Sequence, residues 1–332
     1  MITLPYRKYS GLFALLLTFF LGVVFSLLFI QNDAITAEST FQEKHQSGYK
    51  YISPLLECDD SQEIGVIKYN SLRSRINDFI EEETAKSDVL NVSVYFRDLN
   101  NGPWIGINAT EKFSPASLLK VPLLISYLKE SETNPTLLKT LLPVTAAPTM
   151  IQQTIKPDRQ LDPTKNYSID ELLYRMITYS DNDATASLFS YLPSGKIEQT
   201  YHELGLQMPT PTGHEDAVIS VREYASFFRI LYNSSYLNKQ SSEQALDLLT
   251  RSVFKDGLIA GVKKGTVVAH KFGERQVGDE NISQLHDCGI VYYPSMPYLI
   301  CIMTRSDTKG ILPEVISGIS RIVYETISSN SK

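Results

Sequence analysis

A serine and a lysine three residues apart, Ser117 and Lys120, form a pair whose types could do chemistry. On a helix that spacing puts both on one face, where a neutral amine can take a proton from a hydroxyl. They lie in Phe113 to Lys129, FSPASLLKVPLLISYLK, a stretch so rich in Leu, Val and Ile that its helix belongs in a core. A lysine buried there is costly unless it has partners. Spacing alone is weak evidence, because Ser-x-x-Lys recurs along the chain, at Ser47, Ser252 and Ser306 among other places besides Ser117. Two further groups follow downstream. Ser180-Asp181-Asn182 falls between two helical stretches, as an ordinary helix cap does, and there it can also present a hydroxyl and an amide into a cleft. Lys271-Phe272-Gly273 ends a strand, where a lysine is usually solvated.

The elements that must position these groups can be read from periodicity. A helix is expected over Ser71 to Lys86, with Leu72, Ile76, Phe79 and Ile80 on one stripe. Strands follow over Asn91 to Asp98 and Trp104 to Asn108, with Asn100-Asn101-Gly102-Pro103 as the turn. Then comes the helix of Ser117, for which Ser114 and Pro115 form a cap-then-proline start. Helices are expected over 169–178, 183–192, 195–204, 220–232 and 241–252. Strands over Val267 to Phe272, Cys288 to Tyr293 and Tyr298 to Thr304, and a closing helix from Pro313 to Ser328, complete the chain. Strands at both ends with helices between them make an α+β fold: an antiparallel sheet flanked by N- and C-terminal helices, plus an inserted all-α lobe. A groove between sheet and lobe is where a site belongs.

With 332 residues and 43% hydrophobic content the chain can bury a sizeable core, and a net charge of -6 with scattered lysines and arginines gives no footprint for nucleic acid. Gly11 to Ile30 is an uncharged run of transmembrane length behind Arg7 and Lys8. It reads as a signal-anchor with the rest of the chain outside the cytoplasm, in the periplasm or at the cell surface. Cleavage after Ile35-Thr36-Ala37, which would secrete the protein, is the rival. Residues 31–66 then read as a spacer and 67–332 as the domain. The three cysteines, at 58, 288 and 301, are too few for a disulfide framework. If Tyr293 pairs with Tyr298, Cys288 faces Met303 and Cys301 faces Ile290, so the two are expected as offset, buried thiols. The five histidines show no metal-ligand spacing, and no metal or cofactor is expected.

Taken in order, Ser-x-x-Lys at 117, Ser-Asp-Asn at 180 and Lys-x-Gly at 271 resemble the motif set of the class A β-lactamases and the related penicillin-binding D,D-peptidases. The likeness runs from about Leu72 to the closing helix. It implies Ser117 as the nucleophile and Lys120 as its base or local charge. Ser180 would be the proton carrier to the leaving nitrogen, Asn182 would hold the substrate amide, and Lys271 would supply the charge beside Ser180. Gly273 would belong to the substrate-binding edge, and the N–H groups of Ser117 and Glu274 would form the oxyanion hole. The implied partner is a β-lactam or a D-Ala-D-Ala-type peptide, and the protein is expected as a monomer.

Two departures from the family pattern matter. Phe272 stands where that family has Thr or Ser, which removes a hydroxyl that commonly helps bind the substrate carboxylate. The loop between Leu206 and Ser220 lacks the Glu-x-x-x-Asn pattern of class A β-lactamases and offers Glu215 as candidate base, with Asp216 and His214 nearby. Three functions therefore stand side by side: β-lactam hydrolysis; D,D-carboxypeptidase or penicillin-binding activity with slow deacylation; and a membrane-anchored domain that senses cell-wall peptides or β-lactams.

Overall fold

The computed structural model describes residues 44–57, 69–100, 102–148, 160–205, 218–277, 282–294, 296–307 and 309–330. In chain order the elements are β1 (Lys44–His45), β2 (Leu55–Glu57), α1 (Asn70–Lys86), β3 (Val89–Asp98) and β4 (Trp104–Ile107). A 3-10 turn, Ala116–Leu119, then leads into α2 (Lys120–Ser131). The lobe continues with β5 (Leu141–Pro143), β6 (Asn166–Ser168), α3 (Ile169–Thr178), α4 (Asn182–Tyr191), α5 (Ser194–Glu203), α6 (Val221–Tyr232) and α7 (Lys239–Thr250). The chain closes with β7 (Val268–Val277), β8 (Ile282–Val291), β9 (Tyr298–Ser306) and α8 (Leu312–Asn330).

Strand β9 shows how the two layers are divided. Successive strand side chains point to opposite faces. Tyr298, Ile300 and Ile302 join one core, with Leu72 and Ile76 of α1 and Val315, Ile316, Ile319 and Val323 of α8. Leu299, Cys301 and Met303 join the other, with α2, α3 and α6. Five antiparallel strands, ordered β4-β3-β9-β8-β7, thus carry the terminal helices on one face and the helical lobe on the other. This is the α+β architecture the sequence pattern implies. Helix α2 is buried from Lys120 through Leu128, as expected of a stretch apolar all round.

Three local expectations are corrected. Ser114 does not cap the helix of Ser117: the chain enters α2 through the 3-10 turn, with no side-chain cap. Pro122 fits early in α2 because one of the first N–H groups of a helix has no partner there in any case. Strand β8 begins at Ile282, six residues ahead of the expected start, and pairs with β9 as Val291↔Tyr298, which sets Cys288 opposite Cys301. The two are joined in a disulfide and are not free thiols. A slip of two residues keeps every side chain on its face, so burial alone cannot distinguish the expected register from the observed one.

Residues 44–57, in the stretch expected as spacer, pack on the helical lobe. Tyr51 and Ile52 are buried in the lobe core. The Glu243 carboxylate of α7 accepts the N–H groups of Lys50 (2.9 Å), Tyr51 (3.0 Å) and Ile52 (3.0 Å). Ser53 N–H donates to Tyr232 O, and Tyr292 O–H donates to Tyr51 O. No helix among the described residues is long and apolar enough to cross a membrane, and the expected anchor at 11–30 lies outside them.

Candidate active site

The turn that carries Ser117 is held from several sides. Tyr224 of α6 and Tyr201 of α5 donate their hydroxyls to the carbonyls of Leu118 (2.9 Å) and Leu119 (3.2 Å). Just upstream, Ser114 O accepts His286 Nε2–H at 3.0 Å while His286 Nδ1 accepts Thr304 N–H, so both ring nitrogens are used by the neutral form. Burial pulls the His286 imidazole down to about 4, which keeps it in that form. Arg275 of β7 donates to Ser114 Oγ at 2.7 Å. Ala116 adopts a left-handed conformation, φ 48°, immediately before Ser117. Ser180 does the same at φ 55°. Backbone strain of this kind, of order ~1–3 kcal/mol each, persists only where the surroundings impose it.

Lys120 opens α2 and turns its ammonium into the groove. Its Nζ lies 3.1 Å from Ser117 Oγ, 2.6 Å from Ser180 O, 3.0 Å from Ser180 Oγ and 2.7 Å from Asn182 Oδ1. Burial pulls its pKa down to about 7, against the opposing fields of Asp181 and Glu274. A neutral amine has two protons and a lone pair, so it can donate to Ser180 O and Asn182 while accepting from the Ser117 hydroxyl.

The turn between α3 and α4 supplies Ser180 and Asn182. Asp181 caps α4 by accepting the N–H groups of Asp183 and Ala184. Its other oxygen takes the Arg175 guanidinium through Nε and a terminal nitrogen, both at 3.0 Å. That side-on pair fixes the turn so that Ser180 faces inward, only 2% exposed. The middle residue of the Ser-Asp-Asn group is therefore the brace for the outer two. Arg175 carried no sequence signal of this role beyond its place near the helix end.

Strand β7 is the free edge of the sheet and forms the opposite wall. Lys271, fully buried, donates from Nζ to Ser180 Oγ at 3.0 Å and to Phe272 O at 2.8 Å, with the Phe272 ring 4.0 Å away. Burial first, and then the charge of Lys120, hold its pKa well below the lysine range, while Asp287 and Glu274 oppose this. Tyr292 N–H pairs with Val267 O, and the β7–β8 register runs without a bulge. Alternation along an antiparallel pair then turns the N–H and C=O groups of residues 268, 270, 272 and 274 off the free edge. Phe272 O confirms it by taking Lys271 Nζ, and Glu274 N–H points the same way. Gly273 is required by close approach: a Cβ there would stand 3.0 Å from Pro115 O and 3.2 Å from Leu118 N, both backbone atoms of the Ser117 turn.

The structure thus brings together Ser117, Lys120, Ser180, Asn182, Lys271 and Gly273, with Glu274 beside them on β7. The Phe272 side chain turns to the other face of the sheet and packs on Phe254, with ring centroids 4.6 Å apart. Glu215 lies outside the described residues. Among the described residues no carboxylate hydrogen-bonds to Ser117 or Lys120, and no group of three or more His, Cys, Asp or Glu side chains could hold a metal ion.

The family model for the β-lactamase enzyme family matches residues 71–327. Among solved structures, a mutant of PBP-A in an acyl-enzyme complex with penicillin G aligns at TM-score 0.65 and 24% identity, over 78% of this chain and 97% of that one. A class A β-lactamase from Mycobacterium abscessus aligns at TM-score 0.65 and 20% identity, over 77% and 99%. The TLA-1 extended-spectrum β-lactamase aligns at TM-score 0.67 and 21% identity, over 78% and 98%. At these identities the likeness to the solved structures is one of fold. No curated protein matches the chain.

Proposed function

The chain belongs to the β-lactamase enzyme family, and from that premise we propose that it is a serine hydrolase that opens β-lactam amide bonds through an acyl-enzyme on Ser117. The observation that carries this reading is the unbroken run of hydrogen bonds from Ser117 Oγ through Lys120 Nζ and Ser180 Oγ to Lys271 Nζ.

In the proposed cycle neutral Lys120 takes the Ser117 proton as Oγ bonds to the carbonyl carbon. The oxyanion is met by the N–H groups of Ser117 and Glu274; a single donor of this kind is worth roughly 100- to 1,000-fold in rate. The proton then passes from Lys120 to Ser180, whose own proton goes to the departing nitrogen as the C–N bond breaks. That returns Lys120 to its neutral form. Lys271 keeps its charge beside Ser180 and the substrate carboxylate, and Asn182 orients the substrate amide. Water finally attacks the ester carbonyl and frees Ser117, with Glu215 as the proposed base for that step.

A second reading, slow deacylation as in a D,D-carboxypeptidase or penicillin-binding protein, is favoured by the lack of any described carboxylate bonded to Ser117 or Lys120. The likeness in fold to a PBP-A mutant solved as a penicillin G acyl-enzyme fits this reading as well. A domain that only senses β-lactams or wall peptides would not need the full set of acylating groups. The proposed setting is extracytoplasmic, with residues 11–30 as a membrane anchor and the protein acting as a monomer.

The test uses the full-length protein with a chromogenic cephalosporin, a fluorescent penicillin and a D-Ala-D-Ala peptide. Fast colour change with a short-lived label supports hydrolysis. Durable label with D-Ala release supports the peptidase. Equal labelling of wild type and Ser117→Ala, or neither label nor D-Ala release, removes the serine acyl-enzyme altogether.

A further inference from the structure

His270 and Asp287 form a second polar pair behind the groove, fully buried on both sides. They sit on β7 and β8, one residue before Lys271 and directly across from Phe272. His270 Nδ1 lies 2.7 Å from Asp287 Oδ1, and Asp287 Oδ2 accepts the Leu258 N–H at 2.9 Å. Gly257 leaves room for that carboxylate, because a Cβ there would fall on Oδ2. His270 Nε2 has no hydrogen-bond partner among the described residues.

The last observation fixes the charge of the pair. An imidazolium would bury a second N–H donor with no acceptor, whereas the neutral ring donates from Nδ1 to Asp287 and leaves only a lone pair at Nε2. The pair then carries one net negative charge. Asp181, near the other lysine, is matched by the Arg175 guanidinium and carries none. The two lysines that share Ser180 are therefore unequal in their surroundings.

We propose that Asp287, oriented by His270, is the positioning residue that keeps a proton on Lys271 and thereby leaves Lys120 neutral to act on Ser117. The charged groups that act on Lys271 are Asp287 from β8 and Glu274 from β7, which favour its proton, and Lys120 from α2, whose charge opposes it; Asp181, paired with Arg175 in the α3–α4 turn, acts on Lys120 instead. Glu274 favours the proton on both lysines. Lys255, on the segment after α7, gives its ammonium to Ser252 O. The inference rests on the acyl-enzyme reading above.

The test is the pH profile of penicillin acylation in the full-length chain, comparing wild type, Asp287→Asn and His270→Asn. Wild type should give a bell, rising as Lys120 loses its proton and falling as Lys271 loses its own. Removing the Asp287 charge lowers the proton affinity of Lys271 and, by relieving repulsion, raises that of Lys120. The alkaline limb should move down by about one pH unit, a roughly tenfold loss on that side, and the acid limb should move up. His270→Asn keeps an N–H for Asp287 and should keep both limbs in place. An Asp287→Asn profile with the wild-type shape, whatever its height, overturns the proposal. Should that variant not fold, ¹⁵N spectra of His270 in the wild type decide: a neutral Nδ1–H ring from pH 6 to 8 upholds it, and an imidazolium overturns it. Absence of any acylation in the wild type instead removes the acyl-enzyme reading and leaves the His270 spectrum to decide the charge assignment.

Discussion

Lys120 and Lys271 direct their side-chain nitrogens at the same oxygen, each 3.0 Å from Ser180 Oγ. Two full charges so placed can be no more than about 6 Å apart and repel by roughly 3 kcal/mol at an effective dielectric near 20. Burial adds its own penalty to both. One of the two must give up its proton near neutral pH, and the site is built around which one does.

The first prediction concerns that proton. Acylation of Ser117 should rise with pH and reach half its plateau near about 7, where Lys120 titrates. The sign follows from the base role, since only the neutral amine can accept the serine proton. Lys120→Arg keeps a charge but cannot deprotonate, and should lose roughly 100-fold or more of the acylation rate at every pH. Stopped-flow quenching with a fluorescent penicillin measures both. A flat profile between pH 5.5 and 8.5 would contradict the role.

Gly273 provides a test of geometry. A methyl group there meets Pro115 O at 3.0 Å, a backbone atom that cannot turn aside. Gly273→Ala should push β7 away from the Ser117 turn and lower acylation by about tenfold or more, since small misplacements of reacting groups are costly. The loss should appear in the rate, and the melting temperature should change little at this free edge. Equal acylation in the variant would show that the approach of strand and turn is not what sets the oxyanion donors.

Most of this architecture is legible in the sequence, and what is not has identifiable causes. The helices over 169–178 and 220–232 have strong one-sided patterns and appear as Ile169–Thr178 and Val221–Tyr232. Ser117, Lys120, Ser180 and Lys271 were readable because their order and spacing match a family pattern. The register of β8 on β9 was not, because shifts by two residues preserve the buried face and the Pro294–Pro297 connection permits either. The His270–Asp287 pair was not legible either, since the two residues stand 17 apart on strands whose pairing had to be known first. Phe272 read as a lost hydroxyl in the groove, whereas strand alternation turns its ring into the opposite core.

The clamp at Glu243 predicts where the folded domain begins. One carboxylate takes three successive backbone N–H groups, and Tyr51 and Ile52 behind them fill the lobe core. Charge-assisted bonds of this kind are worth more than neutral ones, and Glu243→Ala should cost about 2–3 kcal/mol. A chain cut at residue 67 should lose this and the two buried side chains, and melt well below one that begins at 42. Thermal unfolding of the two chains measures the difference, and coincident melting curves would place residues 44–57 outside the cooperative unit.

The disulfide gives the last prediction. Cys288 pairs across β8–β9 with Cys301 and across β7–β8 with Lys271, so the bond lies in the same row of the sheet as the lysine. Of three cysteines, no more than one should therefore react with an alkylating reagent before reduction, and all three after reduction and unfolding. The bond closes a short loop between residues 13 apart in sequence, and removing it should cost roughly 3 kcal/mol by the loss of constraint on the unfolded chain. In a domain of this size that is a fall of roughly 5–10 °C in melting temperature for the Cys288→Ser, Cys301→Ser variant. Acylation at 25 °C should change less than about threefold, because Lys271 is held in register by the β7–β8 ladder around it. Three reactive thiols in the native, unreduced protein would contradict the pairing. A tenfold loss of acylation at full folding would show instead that the bond itself holds Lys271 in place.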